Sequence, residues 1–371
     1  MLKTKGLEGV VATTSSVSSI IDSVLTYQGF NIDDLANNAS FEEVIYLLWN
    51  GRLPKQDELN LLVEELSENA FIPEAILDQI KTSPVEIVHP MAALRSWVSS
   101  LALYDEEADD MSEEANRRKA IRLQAKIPTI VTAFSRIREG KDPIAPNKDL
   151  SYAANFLYML TGKKPDEISV NAFNKALVLH ADHELNASTF TARVCVATLS
   201  DIYSGITAAI GALKGPLHGG ANEAVMATLI DIGEVENVES YIRKSLDNKE
   251  KIMGFGHRVY KDGDPRAKHL KEMSNQLTVI TGEKKWYDMS AKIEELVTNE
   301  KGLLPNVDFY SASVYHSLGI KHDLFTPIFA ISRTSGWIAH ILEQYENNRL
   351  IRPRADYIGA FNQKYIAIHS R

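Results

Sequence analysis

The stretch KGPLHGG places one histidine, His218, among three glycines and a proline, directly before an apolar-periodic segment. A Gly-Pro-x-His-Gly-Gly turn followed by such periodicity predicts that His218 stands at a helix N-terminus. The positive end of the helix dipole disfavours imidazolium there, so it lowers the pKa of the ring and keeps the ring neutral. A neutral imidazole can donate its N–H to a carbonyl oxygen on which negative charge develops, as in enolising enzymes. Taken alone, His218 is more simply interpreted as a histidine that caps a turn.

A second histidine, His257, lies in GFGHRVYKDGDPRA, on a glycine-rich loop with exposed backbone amides. The third glycine of a dinucleotide-binding GxGxxG motif is missing, and no convincing strand precedes the loop, so a dinucleotide site is not predicted. Arg266 follows Asp264 and Pro265 at the start of an apolar-periodic helix. A basic, solvated loop is an equally good interpretation of this stretch by itself.

A third cluster lies in LHADHELNAST, which contains His180, Asp182, His183 and Glu184, all residue types that can bind metals. Their order matches neither HExxH nor HxxEH, and no cysteine lies nearby, so we predict no metal site. We interpret His183 instead as a polar group that points into a cleft at a helix start. A metal-dependent hydrolase that uses His180, His183 and Glu184 is the alternative, and it predicts inactivation by chelators.

Two charged side chains interrupt otherwise apolar surroundings. Asp308, in PNVDFYS, is flanked by Val307 and Phe309, and burial there would raise the pKa of its carboxyl and make it a stronger base. Arg333, in FAISRTSGW, interrupts an apolar helix, and a buried arginine needs an anionic partner. Near the C-terminus, NRLIRPRADYIG carries Arg352 between two other arginines. By themselves, these three arginines can equally be interpreted as a solvated basic patch.

The bulk composition limits the classes of protein to which the chain can belong. At 371 residues, it is longer than one hydrophobic core usually grows, so a large and a smaller domain are expected. The formal net charge of −9 argues against a protein that neutralises a nucleic-acid backbone, so no nucleic-acid partner is predicted. One cysteine allows no disulfide framework. Neither a signal peptide nor a run of about 18 apolar residues is visible, so we predict no membrane association and a cytoplasmic location.

Most of the chain has the periodicity of α-helices. Near the start, β-branched residues and a Gln-Gly turn signal predict a short hairpin. Ser40 and Glu43 form a capping box before a helix that ends at Gly51, and QDELNLLVEEL predicts a second helix. The periodic stretch RKAIRLQAKIPTIVTAFSRIR contains Pro128, which predicts a kink or break. The stretch 171–215 is rich in small residues, which permit close approach of helices.

The composition changes twice along the chain. An apolar, alanine-rich part extends to about 217, a more polar helical part to about 314, and an apolar part then returns. We therefore predict an all-α protein in which a small helical domain, 218–314, is inserted into a large helical domain, 1–217 and 315–371. A cleft between the two domains is expected to hold the site.

In their chain order, these motifs together resemble the citrate synthase family over nearly the whole chain. GFGHRVYKDGDPRA is the most specific of them, and GPLHGG, DHELNAST, PNVDFYS, SRTSGW and RPRADYIG accompany it. The resemblance is to the short, dimeric bacterial type, and it implies an all-α fold, a homodimer and an active site in the interdomain cleft. It implies that acetyl-CoA condenses with oxaloacetate and that citryl-CoA is hydrolysed to citrate and CoA, without a metal or redox cofactor.

The same resemblance implies roles for individual residues. Those that match the catalytic triad are His218, His257 and Asp308. Those that match the oxaloacetate-binding positions are His183, Arg266, Arg333 and Arg352, the last of which would come from the partner subunit. For CoA, Arg258 or Lys261 would lie near a phosphate. Asp308 would take a proton from the acetyl methyl group, His218 would hydrogen-bond the thioester oxygen, and His257 would polarise the ketone of oxaloacetate.

Two alternatives to this function stay open. A 2-methylcitrate synthase would use propionyl-CoA with the same catalytic groups, because one extra methylene in a pocket is worth only about 1–3 kcal/mol. A catalytically silent helical regulatory protein would keep only the scaffold. The loss of His218, His257 or Asp308 would be the sign of such a protein, and all three are present.

Overall fold

The computed structural model describes residues 6, 7, 9–257, 260 and 262–371, and most of them are helical. Three short strands near the start are β1 (Ser18–Ile21), β2 (Val24–Tyr27) and β3 (Phe30–Asn31). They form one antiparallel sheet in the order β1-β2-β3, which confirms the predicted hairpin. Asp22 and Ser23 connect β1 to β2 with φ of 50° and 62°, the left-handed backbone that a two-residue hairpin turn needs.

Sixteen α-helices follow in the described part of the chain, and the all-α fold class is confirmed. The first ten are α1 (Ile32–Asn38), α2 (Phe41–Asn50), α3 (Gln56–Glu68), α4 (Glu74–Thr82), α5 (Pro90–Ser100), α6 (Glu113–Arg138), α7 (Tyr152–Thr161), α8 (Glu167–His180), α9 (Ala187–Val196) and α10 (Ile202–Leu213). The others are α11 (Ala221–Ile232), α12 (Val238–Asp247), α13 (Ala267–Ile280), α14 (Lys285–Lys301), α15 (Val307–Ser317) and α16 (Phe325–Glu346). The domain boundaries stay predictions, and the one after residue 314 falls within α15. No helix among the described residues has the length and apolarity needed to cross a bilayer.

Helix α2 begins and ends where the capping signals predict. The hydroxyl of Ser40 accepts a hydrogen bond from the N–H of Glu43 (3.2 Å), and the carboxylate of Glu43 accepts one from the N–H of Ser40 (2.7 Å). At the other end, Gly51 has a φ of 73°, which is the left-handed conformation that glycine adopts readily. Local sequence alone is therefore enough to place this helix.

Helix α6 runs unbroken through Pro128, so the predicted break at this residue is wrong. Proline has no N–H to donate to the carbonyl of Gln124, four residues earlier. The phenol of Tyr152, on α7, donates to that carbonyl instead (2.8 Å). A side chain of a neighbouring helix thus replaces the missing main-chain donor, and no local sequence pattern reveals this.

Tyr152→Phe is therefore expected to lower the free energy of unfolding by about 1–3 kcal/mol, because the carbonyl of Gln124 would be left buried without a donor. Denaturation of the wild type and the variant with urea measures the difference. In a Pro128→Ala background, the restored N–H can bond to the same carbonyl, so Tyr152→Phe should cost less there. If Tyr152→Phe lowered the free energy of unfolding equally in the wild type and in the Pro128→Ala background, Tyr152 would not be the replacement donor.

Small residues bring α9, α10 and α16 close together, as the composition of 171–215 predicts. A Cβ atom on Gly205 of α10 would lie 2.6 Å from a methyl of Val196 on α9 and 3.0 Å from Ile341 on α16. A Cβ atom on Gly336 of α16 would overlap with the carboxylate of Asp182 in the loop after α8. Glycine at these two positions therefore permits contacts that any larger residue would prevent.

Helix α16 is the central element of the fold. Every residue from Phe325 to Ile341 is buried, and the helix packs against α2, α6, α8, α9 and α10. A helix that is buried on all sides tolerates few charged residues, because each must find compensation away from water. Arg333 lies in the middle of this buried stretch, and its environment decides what it can bind.

Polar side chains join α1 to α13, which lies in the predicted inserted segment. Asp33 on α1 accepts a hydrogen bond from Nζ of Lys268 (2.6 Å), and its other carboxylate oxygen lies 2.7 Å from Nε2 of His269. Both partners are on α13, directly after Arg266. This contact, the Asp33 bridge, connects residues that are 235 positions apart in the sequence.

Candidate active site

Six of the predicted site residues come together where the loops before α9, α11, α13 and α15 meet α16. The six are His183, His218, His257, Arg266, Asp308 and Arg333. The ring centroids of His183 and His257 lie 5.2 Å apart. The charges of Arg266 and Arg333 both act on Asp308 and on His183, and Arg333 also acts on His218. The sequence motifs therefore meet in space although they are spread over 150 positions of the chain.

His218 lies two residues before Gly220, the N-cap of α11, so its predicted place at a helix N-terminus is confirmed. Burial, followed by the charge of Arg333, lowers the pKa of its imidazole to about 4. The ring is therefore neutral at physiological pH, as the sequence predicts. Burial is the larger of these two causes.

Ser188, at the start of α9, determines which nitrogen of His218 carries the proton. The main-chain N–H of Ser188 donates to Nε2 of His218 (3.3 Å), and the hydroxyl of Ser188 lies 2.8 Å from the same nitrogen. Since Nε2 accepts, the proton of the neutral ring is on Nδ1. Trp337 on α16 donates from Nε1 to the hydroxyl of Ser188 (3.1 Å) and fixes its position. His218 can thus offer one N–H from a fixed ring.

His257 is neutral as well but has the opposite tautomer. The main-chain N–H of Tyr260 donates to Nδ1 of His257 (3.2 Å), so Nε2 carries the proton. Burial, followed by the charge of Arg266, lowers the pKa of this imidazole to about 4. A second neutral N–H donor therefore lies in the cluster.

His183 lies in the loop between α8 and α9. Its Nε2 is 3.0 Å from the hydroxyl of Tyr260. Burial, together with the charges of Arg266 and Arg333, lowers the pKa of His183 well below its ordinary value. The predicted interpretation of His183 as a polar group at a helix start agrees with this position.

The sheet holds the loop that carries His183. The hydroxyl of Ser18 on β1 donates to the carboxylate of Asp182 and accepts from the N–H of Glu184 (2.9 Å). The carboxylate of Glu184 in turn accepts from the N–H of Ile20 (2.6 Å). Glu184 has a φ of 47°, so the loop turns sharply at this residue. The hairpin thus positions a site residue more than 150 positions away.

A buried chain of polar groups extends from the same loop. Asp182 accepts a hydrogen bond from Nε2 of His340 on α16 (3.3 Å), and Nδ1 of His340 accepts one from Arg193 on α9 (3.0 Å). Sequence reasoning missed this chain, although one signal was available. His340 interrupts the apolar α16 seven residues after Arg333, a spacing that places both side chains on one face of the helix.

The residues of the metal alternative have separate partners. Nδ1 of His180 donates to the carbonyl of Ala176 (2.8 Å), and its buried ring packs edge-on against Phe329. The carboxylate of Glu184 bonds to β1, as described above. Among the described residues, no group of three His, Cys, Asp or Glu side chains is arranged to hold a metal ion.

Asp308 is the second residue of α15, after the N-cap Asn306. Its Oδ1 is buried and has no hydrogen-bond partner among the described residues. Burial raises the pKa of the carboxyl to about 7, although the charges of Arg266 and Arg333 oppose the shift. Asp308 can therefore exchange a proton near neutral pH, as the apolar neighbours in the sequence predict.

Arg266 is the N-cap residue of α13, and Asp264 holds its side chain. The carboxylate of Asp264 accepts from Nε (2.9 Å) and from a terminal nitrogen (2.8 Å) of the Arg266 guanidinium. Burial by itself would lower the pKa of the Arg266 guanidinium. The charge and hydrogen bonds of Asp264 more than offset this effect, so the pKa is raised. The same carboxylate accepts from the N–H of Val307 at the start of α15 (3.0 Å). Asp264, whose role the sequence did not reveal, thus ties Arg266 to the helix that carries Asp308.

Arg333 is only 1% exposed. Its Nε donates to the carbonyl of His180 (2.8 Å), and the guanidinium lies 4.8 Å from the ring centroid of Phe329. Burial lowers the pKa of the guanidinium to about 10. Within the described part of the chain, no carboxylate pairs with it. The anionic partner that the sequence predicts must therefore come from outside these residues.

Three other predicted residues are not in this cluster. Arg352 lies in the exposed segment after α16. Arg258 and Lys261 fall outside the described residues.

Known proteins are similar to this chain over its whole length. A family model described as "Citrate synthase, C-terminal domain" matches residues 6–354. "Citrate synthase 2" of Bacillus subtilis (strain 168) is 70% identical over 371 residues, which are 100% of each chain. "Citrate synthase" of Haloferax volcanii is 50% identical over 373 residues, which are 99% of this chain and 98% of that protein. The solved structure of Thermoplasma acidophilum citrate synthase, described as a ternary complex with carboxymethyl coenzyme A and oxaloacetate, has a TM-score of 0.93, 37% identity and 99% coverage of each chain.

Proposed function

Because this chain belongs to the citrate synthase family and catalyses the condensation of acetyl-CoA with oxaloacetate to citrate and CoA, we propose that His218, His257 and Asp308 carry out the chemistry. The observation that carries the proposal is the environment of Asp308. Its buried carboxyl has a pKa of about 7 and feels the charges of two buried arginines, Arg266 and Arg333. The same arginines act on the two neutral imidazoles, Arg333 on His218 and Arg266 on His257. Such an environment suits proton removal from carbon next to a dianionic substrate.

Asp308 takes a proton from the acetyl methyl carbon. A base with a pKa near the working pH is both ionised and strong enough to accept such a proton. His218 donates its Nδ1–H to the thioester oxygen and stabilises the negative charge that develops there. The neutral ring gains this hydrogen bond as the charge forms, so it favours the transition state over the substrate.

Arg266 and Arg333 bind the carboxylates of oxaloacetate. The Nε of Arg333 is occupied by the carbonyl of His180, so among the described residues its two terminal nitrogens are left for a carboxylate. In Arg266, Nε and one terminal nitrogen donate to Asp264, so the other terminal nitrogen is left for a carboxylate of oxaloacetate. His257 donates its Nε2–H to the ketone oxygen, and His183 adds a further polar contact. The ketone carbon is thereby activated for attack by the enol carbon.

The remaining steps complete the reaction. The new C–C bond forms as the ketone oxygen takes up a proton, and water then cleaves the citryl thioester to release citrate and CoA. Closure of the cleft over oxaloacetate expels water before the enol forms.

The proposed reaction needs no cofactor. Neither condensation nor hydrolysis needs an electron acceptor, and the arginines offset the charges of oxaloacetate. We therefore propose that the reaction uses no metal or redox cofactor.

The segment after α16 supports a homodimer. Residues 347–371 contain no strand or α-helix, and Arg352 is exposed. Large apolar side chains are also exposed there, namely Leu350, Tyr357, Ile358, Phe361, Tyr365, Ile366 and Ile368. An apolar series of this size marks an interaction surface. We propose that a second subunit covers it and that Arg352 reaches the oxaloacetate site of that subunit.

Further parts of the proposal rest on composition. A net charge of −9 supports the absence of a nucleic-acid partner, and a single cysteine is compatible with the cytoplasm. Arg258 and Lys261 follow His257 in a basic stretch of the sequence, which supports a contact to a phosphate of CoA.

Release of free thiol from acetyl-CoA, with and without oxaloacetate, tests the function. We expect thiol only when both substrates are present, a higher kcat/KM for acetyl-CoA than for propionyl-CoA, and no loss of activity in EDTA. A preference for propionyl-CoA would assign the chain to 2-methylcitrate synthesis. No thiol from either substrate would favour the catalytically silent protein.

A further inference from the structure

We propose that Tyr260 is a positioning residue that orients both His183 and His257, and that it does so with two different groups. Its hydroxyl holds the ring of His183, while its main-chain N–H and its ring hold His257. The inference rests on the proposed function, because it assigns the two histidines to oxaloacetate. It adds a residue that the catalytic and binding assignments do not include.

The geometry around Tyr260 carries the inference. The hydroxyl lies 3.0 Å from Nε2 of His183, and the ring centroids of Tyr260 and His257 are 4.6 Å apart. The main-chain N–H of Tyr260 donates to Nδ1 of His257 (3.2 Å). The side chain is only 3% exposed, so water competes little for these contacts. One residue thus touches both imidazoles.

The two contacts fix opposite tautomers. The phenol of Tyr260 keeps its proton, since burial raises its pKa above the ordinary value. Among the described residues, Nε2 of His183 is the only hydrogen-bond partner of that hydroxyl. Nε2 of His183 is therefore the acceptor, and the hydroxyl of Tyr260 donates to it. In His257, the accepting atom is Nδ1, and the proton is on Nε2.

The contact with His183 also crosses the predicted cleft. His183 lies in the loop after α8, in the predicted large domain, whereas Tyr260 lies in the inserted segment. The hydroxyl can therefore hold His183 in its binding orientation only when the two segments are close together. Loss of the hydroxyl should affect oxaloacetate, which both histidines contact, more than acetyl-CoA.

Tyr260→Phe tests this role because it removes only the hydroxyl and keeps the ring and the main-chain N–H. We expect the KM for oxaloacetate to rise about three- to tenfold, the usual effect of one neutral hydrogen bond. The KM for acetyl-CoA should change less than about twofold on the same reasoning. Tyr345→Phe is the matched control, since it removes a hydrogen bond to the carbonyl of Ser200 (2.6 Å) outside the cluster. It should leave both KM values unchanged.

A double-mutant cycle separates positioning from general stability. In a His183→Ala background the hydroxyl has no acceptor, so Tyr260→Phe should no longer change the KM for oxaloacetate. An unchanged KM in the single variant, or an equal rise in both backgrounds, would overturn the role of Tyr260. Failure of the wild type to release thiol would instead overturn the proposed function. In that case, calorimetry can measure the affinity of the same variants for oxaloacetate. This measurement does not depend on turnover, so it still tests the role of Tyr260.

Discussion

Asp308→Asn is expected to lower kcat by about 10²- to 10⁴-fold, the usual contribution of a positioned general base. Asparagine has nearly the same shape, but its amide cannot accept a proton from a methyl carbon at neutral pH. The affinity for oxaloacetate should change little, because Arg266 and Arg333 remain. Thiol release at saturating substrate measures kcat, and calorimetry measures oxaloacetate binding. Near-normal kcat in the folded variant would remove Asp308 from the role of base.

The stability of Asp308→Asn provides the control. Burial raises the pKa of Asp308 to about 7, so the folded chain holds this proton more tightly than the unfolded chain does. The free energy of unfolding therefore falls as the pH rises from about 4, the ordinary pKa of Asp, through the folded value. Asparagine does not titrate, so the free energy of unfolding of the variant does not fall in this way. Its Tm at pH 8 should therefore equal or exceed that of the wild type. A lower Tm would point to a folding defect instead of a lost base.

The pH dependence of kcat/KM should report the same group. Only the ionised carboxyl accepts a proton, so kcat/KM should rise tenfold per pH unit below about 7 and level off above it. His218 has a pKa of about 4 and stays neutral over this range, so it should add no second inflection. The inflection should be absent from the residual rate of Asp308→Asn.

Arg333→Leu is expected to raise the KM for oxaloacetate roughly 10- to 150-fold, because hydrogen bonds to charged groups contribute about 1.5–3 kcal/mol. The KM for acetyl-CoA should change much less. Arg333→Lys is the matched comparison, since it keeps the charge but loses the planar fork that binds a carboxylate with two hydrogen bonds. Its KM should fall between those of the wild type and the leucine variant.

Stability again separates binding from structure. Arg333 is buried without a carboxylate partner in the described part of the chain, so leucine removes a desolvated charge, but it also leaves the carbonyl of His180 without its donor. The two effects oppose each other, so weaker oxaloacetate binding with a nearly unchanged Tm identifies a substrate-binding residue. An unchanged KM with a lower Tm would assign Arg333 to the support of the His180 carbonyl.

The sequence predicted those features whose causes are local. The capping box of Ser40 and Glu43, the position of His218 before a helix and the apolar neighbours of Asp308 are all visible within a few residues. The structure also brings six of the predicted site residues together. Their catalytic and binding roles stay predictions until the variants are measured.

What the sequence could not supply depends on contacts between distant residues. The replacement donor for Pro128 comes from α7, and the tautomer of His218 is set by Ser188, 30 positions earlier. Burial is another such property, because it depends on the whole fold. For this reason, the residues next to His218 predict its neutral state but not the contribution of burial to its low pKa.

The Asp33 bridge makes one contact between α1 and α13 sensitive to the salt concentration of the solvent. Dissolved ions screen exposed charge pairs, whereas they leave apolar packing largely intact. A predicted inserted segment that is held partly by charge therefore responds to salt and to heat through different contacts. A substitution of Asp33, which lies outside the cluster, can then change the salt dependence of this contact while every predicted site residue stays the same.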